Sequence, residues 1–243
     1  MKILPESKVK CVIVDANAPK SFFTYLQNNN IKYVKSAFLQ NTVDAVSTHP
    51  DMQICKIDSK IFVCEPTLYS YYSEMLKEYN VKIIKGSTKI SGTYPYDIAY
   101  NVVITEKFLM HNTPYTDKFI ENYAVDTGVS IYNVKQGYTK CASCVIDSNA
   151  IITSDVGIHN ICVQNGVDSL FIEKDKIKLG NRDDGFFGGC CGMTDYKKML
   201  FCGDVTSHKS YSEILKFASK YGVSIISSSN EVLTDIGSII PVV

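Results

Sequence analysis

The sequence has little of what marks nucleic-acid-binding or membrane proteins. Its 243 residues contain 25 basic and 25 acidic side chains, so the formal net charge is zero. Arg182 is the only arginine, which weakens any case for bidentate phosphate recognition. There is no run of the ~20 apolar residues that a membrane span needs, and no apolar signal core near the N-terminus. We therefore expect a cytoplasmic protein that binds neither nucleic acid nor membranes.

Nucleotide and metal motifs are also lacking. No glycine-rich loop matches the phosphate-binding or dinucleotide-binding patterns. The nine cysteines are an odd number and do not form the dense framework of a small secreted domain, which favours buried free thiols. Cys141 and Cys144 have CxxC spacing, but residues 140–147 are predicted to form a strand, which would turn the two thiols to opposite faces. We therefore expect no cofactor and no metal site.

What the sequence does contain is a module that recurs about every 45 residues. Each copy has a helical segment followed at once by an apolar strand. The predicted helices are residues 19–30, 66–80, 114–127, 157–165 and 208–221, and the strands after them are residues 31–35, 81–85, 129–134, 167–172 and 223–227. Such repeats bury their apolar faces against their neighbours, and five copies predict a closed ring. No linker divides the chain, so residues 1–243 are predicted to form one domain.

Two further strands precede the helix in each of the later modules. They are residues 52–57 with 60–64, 99–104 with 107–110, 141–146 with 150–153, and 190–194 with 198–202. The first module has only residues 9–14, and the apolar C-terminal segment 236–243 is predicted to supply its missing strand. The predicted fold is therefore α/β, a five-bladed β/α propeller of ββαβ modules, with the first strand of each module lining the centre.

Titratable residues recur at the start of these inner strands. Aligning the modules places Asp51, Asp97, Cys141, Cys190 and Asp235 at one equivalent position. Equivalent positions of a closed ring converge on its axis, and convergent carboxylates shift each other's pKa values, as functional sites tend to do. The sequence therefore predicts a polar, Asp-lined central pocket. The candidate substrate-binding residues are His49, Asp51, Gln53, Asp97, Asn101, Lys140, Cys141, Cys190 and Asp235.

A narrow pocket with several carboxylates suits a small cation. Paired carboxylates hold a guanidinium or an amine, and a nearby thiolate attacks a guanidinium carbon if its pKa is lowered, for which Lys140 is the nearest candidate in sequence. Structural readings remain open, because an Asp before a strand is often a turn residue. Asp155, just before the fourth helix, is either a further acceptor for the ligand or the N-cap of that helix, and the cap is the preferred interpretation.

The same residues carry a resemblance to a known fold. The ββαβ modules, the His-Pro-Asp-Met-Gln stretch at 49–53, Tyr-Pro-Tyr-Asp-Ile at 94–98 and Asp-Ile-Gly-Ser at 235–238 resemble the pentein fold of the guanidino-group-modifying enzymes. That superfamily contains arginine and agmatine deiminases, dimethylarginine hydrolases and amidinotransferases. Over the whole chain, the sequence looks like an uncharacterised bacterial family of that fold.

The resemblance implies where the enzymes of this fold keep their catalytic groups. They use a cysteine at the start of the C-terminal strand, a histidine in the fourth module and acidic residues that hold the guanidinium. Here Asp235 matches the cysteine position, and residues 137–140 match the histidine stretch without containing a histidine. Asp51 matches the acidic position. Standard deiminase chemistry is therefore not expected.

Three hypotheses about function follow. The first is a pentein-fold protein whose central pocket binds a small cationic or polar metabolite, with divergent hydrolase or transferase activity left open. The second is a non-catalytic interaction module, similar to the ribosome-associated initiation factor of this fold. The third is a Cys-dependent guanidine hydrolase or amidinotransferase with a relocated nucleophile, Cys141 or Cys190. The sequence shows no histidine near any cysteine, which counts against the third hypothesis.

Overall fold

In the computed structural model, residues 2–40 and 42–243 are described, and residues 1 and 41 of the predicted domain 1–243 lie outside them. The strands are β1 (Cys11–Val14), β2 (Lys32–Lys35), β3 (Ile54–Asp58), β4 (Ile61–Cys64), β5 (Lys82–Lys85), β6 (Val103–Ile104), β7 (Phe108–His111), β8 (Ser130–Asn133), β9 (Ser143–Asp147), β10 (Ala150–Thr153), β11 (Asp168–Phe171), β12 (Cys191–Asp195), β13 (Lys198–Phe201), β14 (Ser224–Ser227) and β15 (Ile240–Pro241). The α-helices are α1 (Lys20–Asn28), α2 (Tyr69–Met75), α3 (Lys118–Thr127), α4 (Thr139–Ala142), α5 (Val156–Gln164) and α6 (Tyr211–Lys220).

The strands form five small sheets of three strands each. Their orders are β15-β1-β2, β3-β4-β5, β6-β7-β8, β9-β10-β11 and β12-β13-β14. In every sheet the inner strand is antiparallel to the middle strand, and the middle strand is parallel to the outer strand. A helix joins each parallel pair, as parallel strands require a crossover connection. The predicted ββαβ modules are therefore confirmed.

Five apolar clusters join neighbouring modules and close the ring. Each cluster combines buried side chains from two successive modules: Ile13 with Phe62, Val63 with Leu109, Met110 with Ile151, Ile152 with Phe201, and Leu200 with Phe22. The last pair joins the fifth module to the first. Because no module can bury its faces alone, these shared clusters hold the blades together. The predicted five-bladed α/β propeller is confirmed.

The C-terminal segment supplies the inner strand that the first module lacks. In the antiparallel pair β15–β1, Pro241 lies opposite Val12 and Ile240 lies opposite Ile13. Ile240 and Val242 are buried in the cluster shared by the first and second modules. Burial of these apolar side chains explains why a chain end that is distant in sequence returns to this position. The prediction made for residues 236–243 is confirmed.

Two inner strands differ from the prediction. The strand predicted over residues 99–104 is reduced to β6, and the segment 140–147 begins with the helical turn α4 before β9. Asn101 explains both differences, because its Oδ1 atom accepts hydrogen bonds from the backbone N–H groups of Lys140 and Cys141. These bonds hold residues near Asn101 in turns and cap α4, since the first N–H groups of a helix have no intrahelical partner.

The cysteines and Asp155 have the structural roles that the sequence predicts. All nine cysteines are buried free thiols, as the sequence indicated. Asp155 caps α5 as predicted, because its Oδ1 atom accepts a hydrogen bond from the backbone N–H of Ile158. Within residues 2–40 and 42–243, no helix has both the length and the apolar character that crossing a bilayer requires.

Candidate functional site

Short helical turns at the start of three inner strands carry candidate residues. Asp51 lies in the 3-10 turn Pro50–Met52 before β3, and Cys141 lies in α4 before β9. Cys190 lies in the turn Gly188–Cys190 before β12. Proline at the first position of a helical turn has its φ already set and needs no N–H partner there, which favours a turn that begins at residue 50.

Asp51, Cys141 and Ser238 form a buried hydrogen-bonded cluster. The Oδ2 atom of Asp51 accepts one hydrogen bond from the Cys141 thiol at 2.8 Å and another from the Ser238 hydroxyl at 2.9 Å. All three side chains are nearly inaccessible to solvent. The Oδ1 atom of Asp51 is buried and has no hydrogen-bond partner among the described residues. One carboxylate oxygen therefore has two donors, and the other has none among the described residues.

Asn101 supports this cluster from the third module. Its side-chain amide donates to the Sγ atom of Cys141 at 3.2 Å, while its Oδ1 atom holds the backbone of α4. The Cys141 thiol therefore lies between a donor, Asn101, and an acceptor, Asp51. Burial first, and then the negative charges of Asp51 and Asp235, raise the pKa of this thiol well above its usual value. In this environment Cys141 is a neutral thiol.

His49 lies between two carboxylates. Its Nε2 atom is 3.6 Å from Oδ2 of Asp15, and its Nδ1 atom is 3.8 Å from Oδ1 of Asp235. The side chain of His49 is only 2% exposed, and Nδ1 makes no hydrogen bond within the described residues. One ligand atom each from His49, Asp51 and Cys141 lie within 4.8 Å of one another. The structure therefore brings a histidine to a cysteine, which the sequence did not show.

Backbone N–H groups anchor Asp235. Its Oδ2 atom accepts from the N–H of Phe186 at 2.8 Å, and its Oδ1 atom accepts from the N–H of Gly237 at 3.0 Å. Burial raises the pKa of the Asp235 carboxyl, and the charge of His49 opposes this shift. A β-carbon at residue 189 would lie 2.0 Å from Oδ1 of Asp235, so glycine is required at Gly189.

Asp97 makes a separate contact with Tyr138. The tyrosine hydroxyl donates to Oδ2 of Asp97 at 2.7 Å, and Oδ1 of Asp97 is buried without a partner in the described part of the chain. Burial raises the pKa of the Asp97 carboxyl, while the bond from Tyr138 lowers it. Asp97 is therefore a second buried carboxyl group with a free oxygen.

Gln53 and Cys190 make structural contacts. The amide group of Gln53 donates to the carbonyl oxygens of Ala37 and Ser47, and its oxygen accepts from the hydroxyl of Tyr72. These bonds fix a loop to the second module. The Cys190 thiol donates to a backbone oxygen in the apolar cluster of the fourth and fifth modules, and burial raises its pKa well above the usual value.

Two cavities reach the centre of the ring. A narrow cavity of about 80 Å³ is lined mainly by apolar residues of the inner strands, together with Asp51 and Lys140. A cavity of about 560 Å³, called here the larger cavity, is lined by His49 and Asp235 and by further polar residues. Asp97 lines neither cavity. The three carboxylates that the sequence aligned are therefore divided between different surroundings.

Ser238 and Asp15 belong to the site although no sequence pattern points to them. The alignment of modules placed Asp235 at the start of the last inner strand. In the structure that strand, β15, begins only at Ile240. The residue of this segment that contacts Asp51 is Ser238. Asp15 directly follows β1, where an acidic residue usually indicates a turn, and its Oδ1 atom does accept the N–H of Asn17 in such a turn. Its second oxygen is the one that approaches His49.

The fold is similar to that of several solved enzymes of the pentein class. An agmatine deiminase from C. jejuni has a TM-score of 0.59 and 12% sequence identity, with 96% of this chain and 93% of that chain covered. An inosamine-phosphate amidinotransferase from Streptomyces griseus has a TM-score of 0.57 and 8% identity, with 100% and 96% covered. DDAH from Pseudomonas aeruginosa, complexed with citrulline, has a TM-score of 0.53 and 9% identity, with 92% and 93% covered.

These likenesses show that the protein has the pentein fold. Within that fold, residues 13–240 match the model of a family of unknown function, DUF6873, and the chain belongs to this family. No curated protein matches the sequence. The expected membership of an uncharacterised family of the pentein fold is confirmed.

Proposed function

We propose that the protein binds a small cationic metabolite, a guanidinium compound or an amine, in the larger cavity beside His49. The charge of the cavity wall supports this proposal. Its acidic residues are Asp15, Asp44, Glu231 and Asp235, and its basic residue other than histidine is Lys178. Carboxylates outnumber ammonium groups four to one, so the cavity attracts positive charge.

The acidic residues differ in burial, which suggests different roles. Asp44 and Glu231 are exposed, whereas Asp15 and Asp235 are buried. Exposed carboxylates attract a cation by long-range electrostatics, and buried carboxylates orient it through short, charge-assisted hydrogen bonds. A cation about 4 Å from one carboxylate gains about 4 kcal/mol at an effective dielectric constant of about 20, before desolvation is subtracted.

The structural neighbours support the choice of ligand class. One neighbour is an agmatine deiminase, which was also solved with substrate bound, and another is an amidinotransferase. A third holds citrulline. Agmatine carries a guanidinium group and citrulline carries its neutral ureido counterpart. We therefore take agmatine and arginine as the first probes, with a diamine as the test for simple amines.

Calorimetric titration and thermal unfolding with agmatine, arginine, putrescine and citrulline test the proposal. We expect agmatine or arginine to raise the melting temperature, and citrulline, which has no positive charge on its distal group, to have a smaller effect. The single observation on which this expectation rests is the acidic wall of the larger cavity. If none of the cations stabilises the protein, or if citrulline stabilises it equally, the proposal is wrong.

Charge-removing variants locate the ligand. Glu231→Gln and Asp44→Asn each remove one negative charge from the cavity mouth, and we expect each to weaken binding about five- to tenfold, which corresponds to about 1 to 1.4 kcal/mol. Glu74→Gln and Asp126→Asn remove exposed carboxylates on helices α2 and α3 and serve as matched controls. Equal weakening by the control variants would place the cation elsewhere on the protein.

A second candidate function is hydrolysis of a guanidinium compound by Cys141. The observation in its favour is the approach of His49 and Asp51 to the Cys141 thiol, because a nucleophile, a base and an orienting group are the usual elements of covalent catalysis. Two observations oppose it. The thiol is buried, and its pKa is raised by burial and by two carboxylates, so the thiolate that would attack is disfavoured.

Alkylation with iodoacetamide separates the two candidates. A catalytic Cys141 should label faster than free cysteine at neutral pH, and its Cys141→Ala variant should lose both the labelling and any release of ammonia, urea or amine from agmatine. Cys190→Ala is the matched control, because it removes a buried thiol from the apolar cluster. Slow labelling of Cys141, together with intact cation binding, would exclude hydrolysis by Cys141 and support the binding function.

A further inference from the structure

Three buried side chains from the second and fourth modules bring metal-ligating atoms close together. His49 and Asp51 flank the start of β3, and Cys141 lies in α4, a contact across 90 residues of sequence. One ligand atom from each lies within 4.8 Å of the other two. A metal ion with bonds of about 2.0 to 2.3 Å separates its ligand atoms by about 3 to 4 Å, so modest side-chain rotation brings these atoms to coordination distance.

Two of these side chains have a free ligand atom directed into the protein interior. Nδ1 of His49 and Oδ1 of Asp51 are buried and make no hydrogen bond among the described residues. A buried polar atom without a partner costs free energy, and native proteins rarely keep one without a reason. These unpartnered atoms belong to two of the three residues whose ligand atoms converge, so a transition metal bound by the cluster would satisfy an unmet need for partners.

The surroundings of the cluster resemble the outer shell of a metal site. Nε2 of His49, the nitrogen opposite the free one, lies 3.6 Å from Asp15, and a carboxylate at that place orients a ligating imidazole. Asn101 donates to the Cys141 sulfur, and Ser238 donates to the second oxygen of Asp51. Asp51 and Cys141 therefore each have a hydrogen-bond donor that fixes their orientation, and His49 faces a carboxylate at ion-pair distance.

We propose that His49, Asp51 and Cys141 bind a zinc ion through an imidazole nitrogen, a carboxylate oxygen and the Cys141 Sγ atom. A mixed set of one nitrogen, one oxygen and one sulfur atom suits zinc, which is a borderline-soft ion. Three protein ligands leave a fourth tetrahedral position for water or a ligand. On binding, the Cys141 thiol forms its bond to zinc as a thiolate and releases its proton to solvent.

This proposal does not depend on cation binding in the larger cavity. The zinc ligands Asp51 and Cys141 are not among the residues that line that cavity, and the carboxylates at the mouth of the cavity are not zinc ligands. His49 is the residue that the two sites share. Failure of one proposal therefore leaves the other open, and variants at Asp51 or Glu231 distinguish them.

Metal titration of the chelator-treated protein tests the site. We expect one zinc ion per chain by elemental analysis and calorimetry. Cobalt(II), which replaces zinc in such sites, should give the near-ultraviolet charge-transfer absorption of a thiolate bond. Cys141→Ala should abolish this absorption and weaken zinc binding more than about 100-fold, which exceeds the loss typical of an outer-shell residue.

Cys190→Ala and Cys202→Ala are the matched controls, because both residues are buried thiols outside the cluster. We expect both to keep the cobalt absorption and to bind zinc within about threefold of the wild type, a difference of about 0.7 kcal/mol. Folded wild-type protein that gives no thiolate absorption with cobalt would overturn the proposal without any variant. Equal losses in Cys141→Ala and Cys190→Ala would also overturn it.

Discussion

The hydroxyl of Ser238 lies 2.9 Å from the Oδ2 atom of Asp51, although 187 residues separate them in the sequence. This bond joins the C-terminal segment to the turn that precedes β3. Ser238 has a φ of 69°, in the left-handed region that residues other than glycine rarely adopt. A polar contact at the centre of the ring is therefore made by a residue in a strained backbone conformation, as is common at functional sites.

Removing this hydroxyl should destabilise the fold. Ser238→Ala leaves the buried Asp51 with one donor fewer, so we expect the free energy of unfolding to fall by about 1 to 3 kcal/mol in urea titrations. Ser238→Gly loses the same bond but relieves the strain of the left-handed backbone. Its free energy of unfolding should therefore fall by less than that of Ser238→Ala. The exposed Ser219→Ala in α6 is the control, and a larger loss for glycine than for alanine would contradict this account.

His111 should make stability depend on pH. Its Nε2 atom donates to the carbonyl oxygen of Gly137 at 3.0 Å, and its Nδ1 atom accepts from the hydroxyl of Thr116 at 2.7 Å. Burial lowers the pKa of this imidazole from 6.5 to about 4. The unfolded chain therefore binds a proton that the folded chain excludes, and stability is lost as pH falls from about 6.5 towards 4.

We expect His111 to contribute a loss of about 2 kcal/mol between pH 7.5 and pH 5, as measured by urea unfolding. His111→Gln, which does not titrate in this range, should be less stable than the wild type at pH 7.5 and should have a flatter pH profile. The matched control is His159→Gln on α5, a half-buried histidine. If the wild type and His111→Gln respond equally to pH, the assignment to His111 is wrong.

Tyr138 should stabilise the fold mainly when Asp97 is ionised. Tyr138→Phe removes the hydroxyl that donates to Asp97, so we expect a loss of about 1 to 3 kcal/mol near neutral pH. The pKa of Asp97 is raised by burial, and it should rise further in the variant. The difference in unfolding free energy should therefore shrink as pH falls and Asp97 becomes protonated in both proteins.

The control for this variant is Tyr94→Phe, whose hydroxyl donates to the Lys135 carbonyl at the surface. We expect a change within about 0.5 kcal/mol for this exposed position. Equal losses in the two variants, or a loss in Tyr138→Phe that does not change with pH, would show that the hydroxyl acts without Asp97.

Gly192 should be essential for the packing of the last strand. A β-carbon at this position would lie 2.0 Å from the carbonyl oxygen of Ile239, a backbone atom that cannot move aside. We expect Gly192→Ala to lower the free energy of unfolding by about 3 kcal/mol or more. Gly128→Ala is the comparison, because its β-carbon would meet no atom within 4 Å and only its φ of 71° is unfavourable. It should cost about 1 kcal/mol, and similar losses in both variants would contradict the steric explanation.

The sequence predicted the fold because its signals are local and repeated. Apolar strands after each helix, the cap at Asp155 and the apolar segment 236–243 all follow from short patterns, and the structure confirms them. The shortened strand β6 did not follow, because the turn around Asn101 depends on its bonds to α4, which lies about 40 residues away.

The centre of the ring could be predicted only in part. The alignment of modules brought Asp51 and Cys141 together, and the structure places them in contact. It also aligned Cys190, which packs in an apolar cluster, because equivalence along a strand does not fix the direction of a side chain. Ser238 and Asp15 carry no pattern that separates them from ordinary turn residues, and only their distant partners reveal them.

The pairing of β15 with β1 has a consequence for the order of synthesis. The first blade contains residues from both ends of the described chain, so its sheet remains two-stranded until the segment around Ile240 has been made. Ser238, which contacts Asp51, lies just ahead of that segment. The contact with Asp51 therefore forms only after the segment that contains Ser238 and Ile240 has been synthesised, when the residues of the other four blades are already in place in the chain.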